Sequence, residues 1–80
     1  MIWDREHPHP VARLISYVWD EVIATWHPVD LEVWLNPADW EALGRPPDYM
    51  GAPVKTSIGV PPGGCRMFDR LSWKYLPRNR

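Results

Sequence analysis

Apolar residues at Val11, Leu14, Ile15, Val18, Trp19, Val22, Ile23 and Trp26 recur at the i, i+3, i+4, i+7 spacing of one helix face, and Arg13, Ser16, Asp20 and Glu21 take the other. The pattern predicts an amphipathic helix over residues 10–26. Pro10 suits its first position, where a missing N–H costs nothing, and Pro28 ends it by pushing His27 out of the α region. The period then changes. Leu31, Val33 and Leu35 alternate with Glu32 and Trp34, the period-two signature of a strand with one apolar face and Trp34 on the other.

Asn36, Pro37 and Asp39 form the start signal of a second helix: a capping side chain, a proline at the first helical position, and a carboxylate at the positive end of the helix dipole. Leu35 and Trp40 occupy the positions of a hydrophobic staple, and Gly44 marks the end after Leu43. This helix is two turns long. Residues 45–51, with two prolines and a glycine, are expected to be a loop.

Val54, Thr56 and Ile58 alternate with Lys55 and Ser57, which predicts a second strand beginning at Pro53. Pro61, Pro62, Gly63 and Gly64 follow as a turn, with Pro62 and Gly63 fitting the central positions of type II. The simplest continuation is a hairpin that returns through residues 65–69. Beyond it, Leu71, Trp73 and Tyr75 alternate as in a strand, whereas Met67, Leu71 and Tyr75 match a helical stripe, so both readings stand. The expected fold is therefore α+β: an amphipathic helix and a short helix packed on a small, mainly antiparallel sheet, in the order helix, strand, short helix, hairpin, C-terminal element. Residues 1–9 read as a flexible arm, 10–76 as one globular domain, and 77–80 as a basic tail.

Composition sharpens this picture in two ways. An 80-residue chain has a thin core, and six tryptophans can substitute large rings for missing depth. The small net charge of -1 conceals a split, because residues 1–44 carry eight acids against two bases and residues 45–80 carry two acids against seven bases. Such a split suits an acidic face and a basic face, head-to-tail contact between copies, or two halves that neutralise each other on folding. Cys65 is the only cysteine, so no intrachain disulfide forms. No apolar stretch approaches a membrane span, and a cytoplasmic protein is expected.

Candidate chemistry is sparse. His7, His9 and His27 with Asp4 and Glu6 can be drawn as a metal site, yet ligands on an HPHP arm lack the rigid support that such sites use, and surface histidines are the expected reading. Cys65 with a histidine would be a minimal nucleophile and base, but a lone cysteine after a turn is usually a small buried hydrophobe. No cofactor motif is present, and no catalytic residue is assigned. Interfaces favour aromatic residues, Met and Arg, and Trp3, Trp34, Tyr49, Met50 and Trp73 are the candidates for contact with a protein partner or another copy. Arg66, Phe68, Arg70, Trp73, Lys74, Tyr75, Arg78 and Arg80 interleave cations with rings that could stack on unpaired bases, the alternative being single-stranded nucleic-acid binding.

Residues 35–63, with Leu35, Asn36, Pro37, Asp39, Trp40 and Leu43, then Gly51, Pro53 and Val54, then Pro61, Pro62 and Gly63, resemble small uncharacterised proteins encoded by bacteriophages and prophages. The resemblance implies a phage accessory role in the host cytoplasm or the virion: a minor structural or assembly component, or an inhibitor that occupies a host protein. It implies no catalytic residue. A non-catalytic protein-binding or assembly module is accordingly the leading expectation.

Overall fold

The computed structural model describes residues 8–76. Two helices and five strands follow in the order α1 (Pro10–Trp26), β1 (Leu31–Leu35), α2 (Pro37–Ala42), β2 (Asp48–Tyr49), β3 (Ala52–Thr56), β4 (Cys65–Asp69) and β5 (Lys74–Leu76). The α+β class is as the sequence predicts. His9 caps α1 by accepting the Val11 N–H at Nδ1 over 3.1 Å, and His27 closes it in the left-handed conformation (φ 49°), its N–H donating to the Ile23 carbonyl at 3.2 Å. Asn36 caps α2 as expected, its side-chain oxygen accepting the Ala38 N–H at 2.9 Å. The second amide function of Asn36 donates to the Val60 carbonyl at 3.0 Å, which ties the cap to the loop before β4.

The sheet order is β2-β3-β1-β4-β5. β1 lies at the centre, parallel to β3 (Val33 opposite Val54) and antiparallel to β4 (Val33 opposite Met67). The expected hairpin between residues 54–58 and 65–69 is therefore not formed: β3 and β4 are separated by β1, so residues 57–64 cross its end instead of making a tight return. The turn inside that crossing is the anticipated one, with Gly64 N–H donating to the Pro61 carbonyl at 3.0 Å and Gly63 at φ 82°. Ile58 falls outside β3 and is 91% exposed, contrary to its expected place in the strand. The loop expected at residues 45–51 contains β2, joined to β3 by Met50 and Gly51, both at positive φ, in a two-residue hairpin. Of the two readings of the C-terminal segment, the strand holds, shortened to residues 74–76.

Alternation along the strands sends Leu31, Val33, Leu35, Met67 and Leu76 to one side, where Val11, Ala12, Ile15 and Val22 of α1 complete a buried cluster. The apolar stripe on α1 is rotated slightly from its expected position: Ala12 and Ser16 are buried and Ile23 is exposed. Leu43 and the half-buried Trp40 bring α2 to the same cluster. The helices thus cover one side of the sheet, and among the described residues no element covers the other. No helix among the described residues is long and apolar enough to cross a membrane.

Candidate nucleic-acid interface

The side chains on the helix-free side follow from strand register. Lys55, Trp34 and Arg66 line up across β3, β1 and β4. In the next row stand Pro53, Glu32, Phe68 and Tyr75, the last two directly opposite each other. Asp30 and Arg70 continue the pattern just beyond the strand ends, and Asp48 stands beside Pro53 at the far edge.

The rings form a connected group. Phe68 contacts Trp73 edge-to-face with centroids 5.2 Å apart and Tyr75 likewise at 5.1 Å. Such geometry aligns ring edge against ring face, as the aromatic quadrupole favours. Trp73 is 75% exposed and Tyr75 is 55% exposed, so most of this group faces solvent. Trp73 adopts φ 61°, in the left-handed region that a bulky side chain rarely occupies, and its N–H donates to the Asp69 carbonyl at 2.8 Å. Asp69 holds the rest of the turn, its carboxylate accepting from the Leu71 N–H at 3.0 Å and the Ser72 hydroxyl at 2.7 Å. A glycine would fit this backbone with less strain; the tryptophan presents its ring there.

One carboxylate organises the cations. Glu32, only 5% exposed, accepts from Lys55 at 2.8 Å and from the Trp34 indole N–H at 3.3 Å, and Arg70 lies 3.6 Å away. Arg70 also pairs with Asp30. Lys55 sits over the Trp34 ring, 5.8 Å from its centroid. The hydrogen bond from Lys55 holds the Glu32 carboxyl below its ordinary value of 4.5; desolvation opposes this, while the Trp34 hydrogen bond and the charges of Lys55 and Arg70 reinforce it. A depressed folded-state value means that the stabilisation is present above the unfolded value and is lost as pH falls through the folded one. Glu32→Gln should cost about 1–2 kcal/mol at neutral pH and flatten the acid limb of stability against pH, as urea unfolding between roughly pH 7 and pH 3 would measure.

The charge split in the sequence is partly resolved by these contacts. Arg45 pairs with Glu41 at 2.8 Å, Lys55 with Glu32, and Arg70 with Asp30 and Glu32, each a base of the second half with an acid of the first. Arg66 is the exception on the helix-free side: it is exposed and makes no ion pair among the described residues.

The sequence-derived candidates sort accordingly. Trp34, Arg66, Phe68, Arg70, Trp73 and Tyr75 come together on or beside this face, and Lys55 and Glu32 join them through pairing that no local pattern reveals. Lys74 pairs with Asp69 and so lies on the opposite side from Tyr75. Tyr49, expected as a partner contact, is buried at 3% exposure with its ring 5.2 Å from Trp19, and belongs to the core. Met50 is exposed at the β2–β3 turn, on the rim of a separate groove shared by Trp19, Ile23 and Val29. Trp3, Arg78 and Arg80 lie outside the described residues.

The other candidate chemistry does not converge. Asp4, Glu6 and His7 lie outside the described residues, while His9 and His27 cap opposite ends of α1, about 27 Å apart at 1.5 Å per residue, too far to share an ion. Burial pushes the Cys65 thiol up to about 11, so it stays protonated and weakly nucleophilic at neutral pH. No family model matches the chain, and no curated protein or solved structure matches it either, so function is read from this geometry.

Proposed function

We propose that this protein is a non-catalytic binder of single-stranded nucleic acid that uses the helix-free face of its sheet. The observation that carries the proposal is the sharing of one face by rings and cations: Trp73 and Tyr75 each packed edge-to-face on Phe68, Trp34 beneath Lys55, and Arg66 without a carboxylate partner among the described residues. Rings accept the faces of unpaired bases whatever their identity, and cations track the phosphates. A packed sheet holds both in fixed positions, which lowers the ordering cost of binding. From sequence alone protein contact stands first. The nucleic-acid reading draws its support from the rings and cations that share one face, and Tyr49, a candidate for protein contact, is buried in the core.

The test is fluorescence anisotropy of a labelled single-stranded oligonucleotide titrated with the protein at several salt concentrations. The expected result is saturable binding, tighter for single strands than for a duplex of the same sequence, with log affinity falling by roughly 0.7 per phosphate neutralised for each unit of log salt. No binding at low salt, or equal binding to the duplex, would contradict the proposal.

A second reading has its own observation. The groove bordered by Trp19, Ile23, Val29 and Met50 exposes apolar side chains at the other end of the sheet, as contact between two copies would use. Light scattering over a hundredfold concentration range decides it: self-association abolished by Val29→Arg supports the second reading, and a monomer throughout removes it.

A further inference from the structure

Where β1, β4 and β5 meet the loop after β3, the helix-free face dips into a half-open concavity of about 320 Å³. Trp34, Ser57, Gly59, Val60, Arg66 and Tyr75 line it. This volume is at the small end of the roughly 300–1,000 Å³ of small-molecule sites, room for one ring system and its substituents and not for a run of bases.

Its lining is chemically one-sided. Two aromatic residues, Trp34 and Tyr75, supply ring surface, and the polar side chains between them are donors. Arg66 is the cation on this face that no carboxylate occupies among the described residues. Ser57 Oγ accepts the Gly59 N–H at 3.1 Å, which leaves the hydroxyl proton to donate elsewhere. No acid lines the concavity, and the nearest carboxylate in the sheet, Glu32, is already occupied by Lys55 and the Trp34 indole. Ring surface beside a planar guanidinium and a hydroxyl donor is complementary to a base carrying a phosphate, the guanidinium matching phosphate oxygens in a bidentate fork.

We infer that this concavity is a single-nucleotide subsite, in which one base lies against Trp34 and Tyr75 while its phosphate is held by Arg66 and the Ser57 hydroxyl. The inference rests on the single-strand reading of the face and adds an anchor that fixes where a strand sits on it. The remaining rings, Phe68 and Trp73, then carry the neighbouring base along the sheet.

The experiment is a calorimetric titration of the protein with the common ribonucleoside 5′-monophosphates, the matching nucleosides and inorganic phosphate, run beside the labelled oligonucleotide. At least one monophosphate is expected to bind at millimolar or tighter affinity, about tenfold better than its nucleoside, and to displace the oligonucleotide. Arg66→Gln should erase the advantage of the monophosphate over the nucleoside, and Ser57→Ala should reduce it a few-fold, with melting temperatures close to that of the parent protein. Monophosphates that bind no better than nucleosides, or an Arg66→Gln protein that discriminates as well as the parent, would overturn the subsite while oligonucleotide binding persists. Absence of oligonucleotide binding by the parent protein would instead overturn the single-strand reading on which the subsite depends.

Discussion

Met67→Ala should lower the free energy of unfolding by about 2–5 kcal/mol, measured by urea denaturation followed through tryptophan fluorescence. Met67 has no exposed surface and lies on β4 between Val33 of β1 and Leu76 of β5, beneath α1. Its removal leaves a cavity at the centre of the layer that joins helix to sheet. A chain of this size is stabilised by roughly 4–12 kcal/mol in total, so the loss removes a large share of it and, at the low end of that range, populates the unfolded state. Met67→Leu, which conserves volume, should cost less than about 1.5 kcal/mol. A small effect for Met67→Ala would mean that α1 does not seal this side of the sheet, and that which face is free must be reconsidered.

The second large effect concerns binding. Trp73→Ala combined with Tyr75→Ala should weaken oligonucleotide affinity by roughly a hundredfold, since each ring stacked on a base is worth about 1–3 kcal/mol. Both rings are more than half exposed and lean on Phe68, so their loss should cost little folding stability beyond those edge-to-face contacts. Tyr17→Ala is the control, because Tyr17 is 55% exposed on α1, on the other side of the sheet. It should leave affinity unchanged. Equal losses in the two proteins would show that exposed rings act through non-specific contact and not through one face.

These expectations depend on features that differ in how far a sequence displays them. α1 is legible because a 17-residue amphipathic period is bracketed by Pro10 and Pro28, and the caps at Asn36 and the turn at Gly63 are local chemistry. Strand pairing is not local. A proline-glycine turn between two strands suggests a hairpin, but nothing near residues 61–64 reveals that β1 inserts between β3 and β4, so that residues 57–64 cross its end. The β2–β3 turn is hidden for a different reason: Met50 occupies a position of positive φ where Asn or Asp is the usual signal. Ile58 illustrates the reverse error, an apolar residue in phase with a strand that has already ended at Thr56.

The binding face shows the same division. The interleaving of rings and cations from Arg66 to Tyr75 is visible in the chain and is brought together by β4, β5 and the turn between them. Trp34 is visible as a ring on the opposite side from the apolar stripe of β1, as its register confirms. Lys55 and the buried Glu32 are not, because their pairing depends on the parallel alignment of β1 with β3. Glu32 in turn explains why Arg66 is the distinctive cation: Lys55 and Arg70 share that carboxylate, and Arg66 does not.

The most direct measurement is a two-dimensional NMR titration of the isotopically labelled protein with a short single-stranded oligonucleotide. Binding by the helix-free face predicts that the largest shift changes fall on the indole N–H signals of Trp34 and Trp73 and on the backbone amides of residues 66–75, with α1 signals nearly still. Changes concentrated on α1 or on the groove around Ile23, Val29 and Met50, or no changes at all, would contradict it.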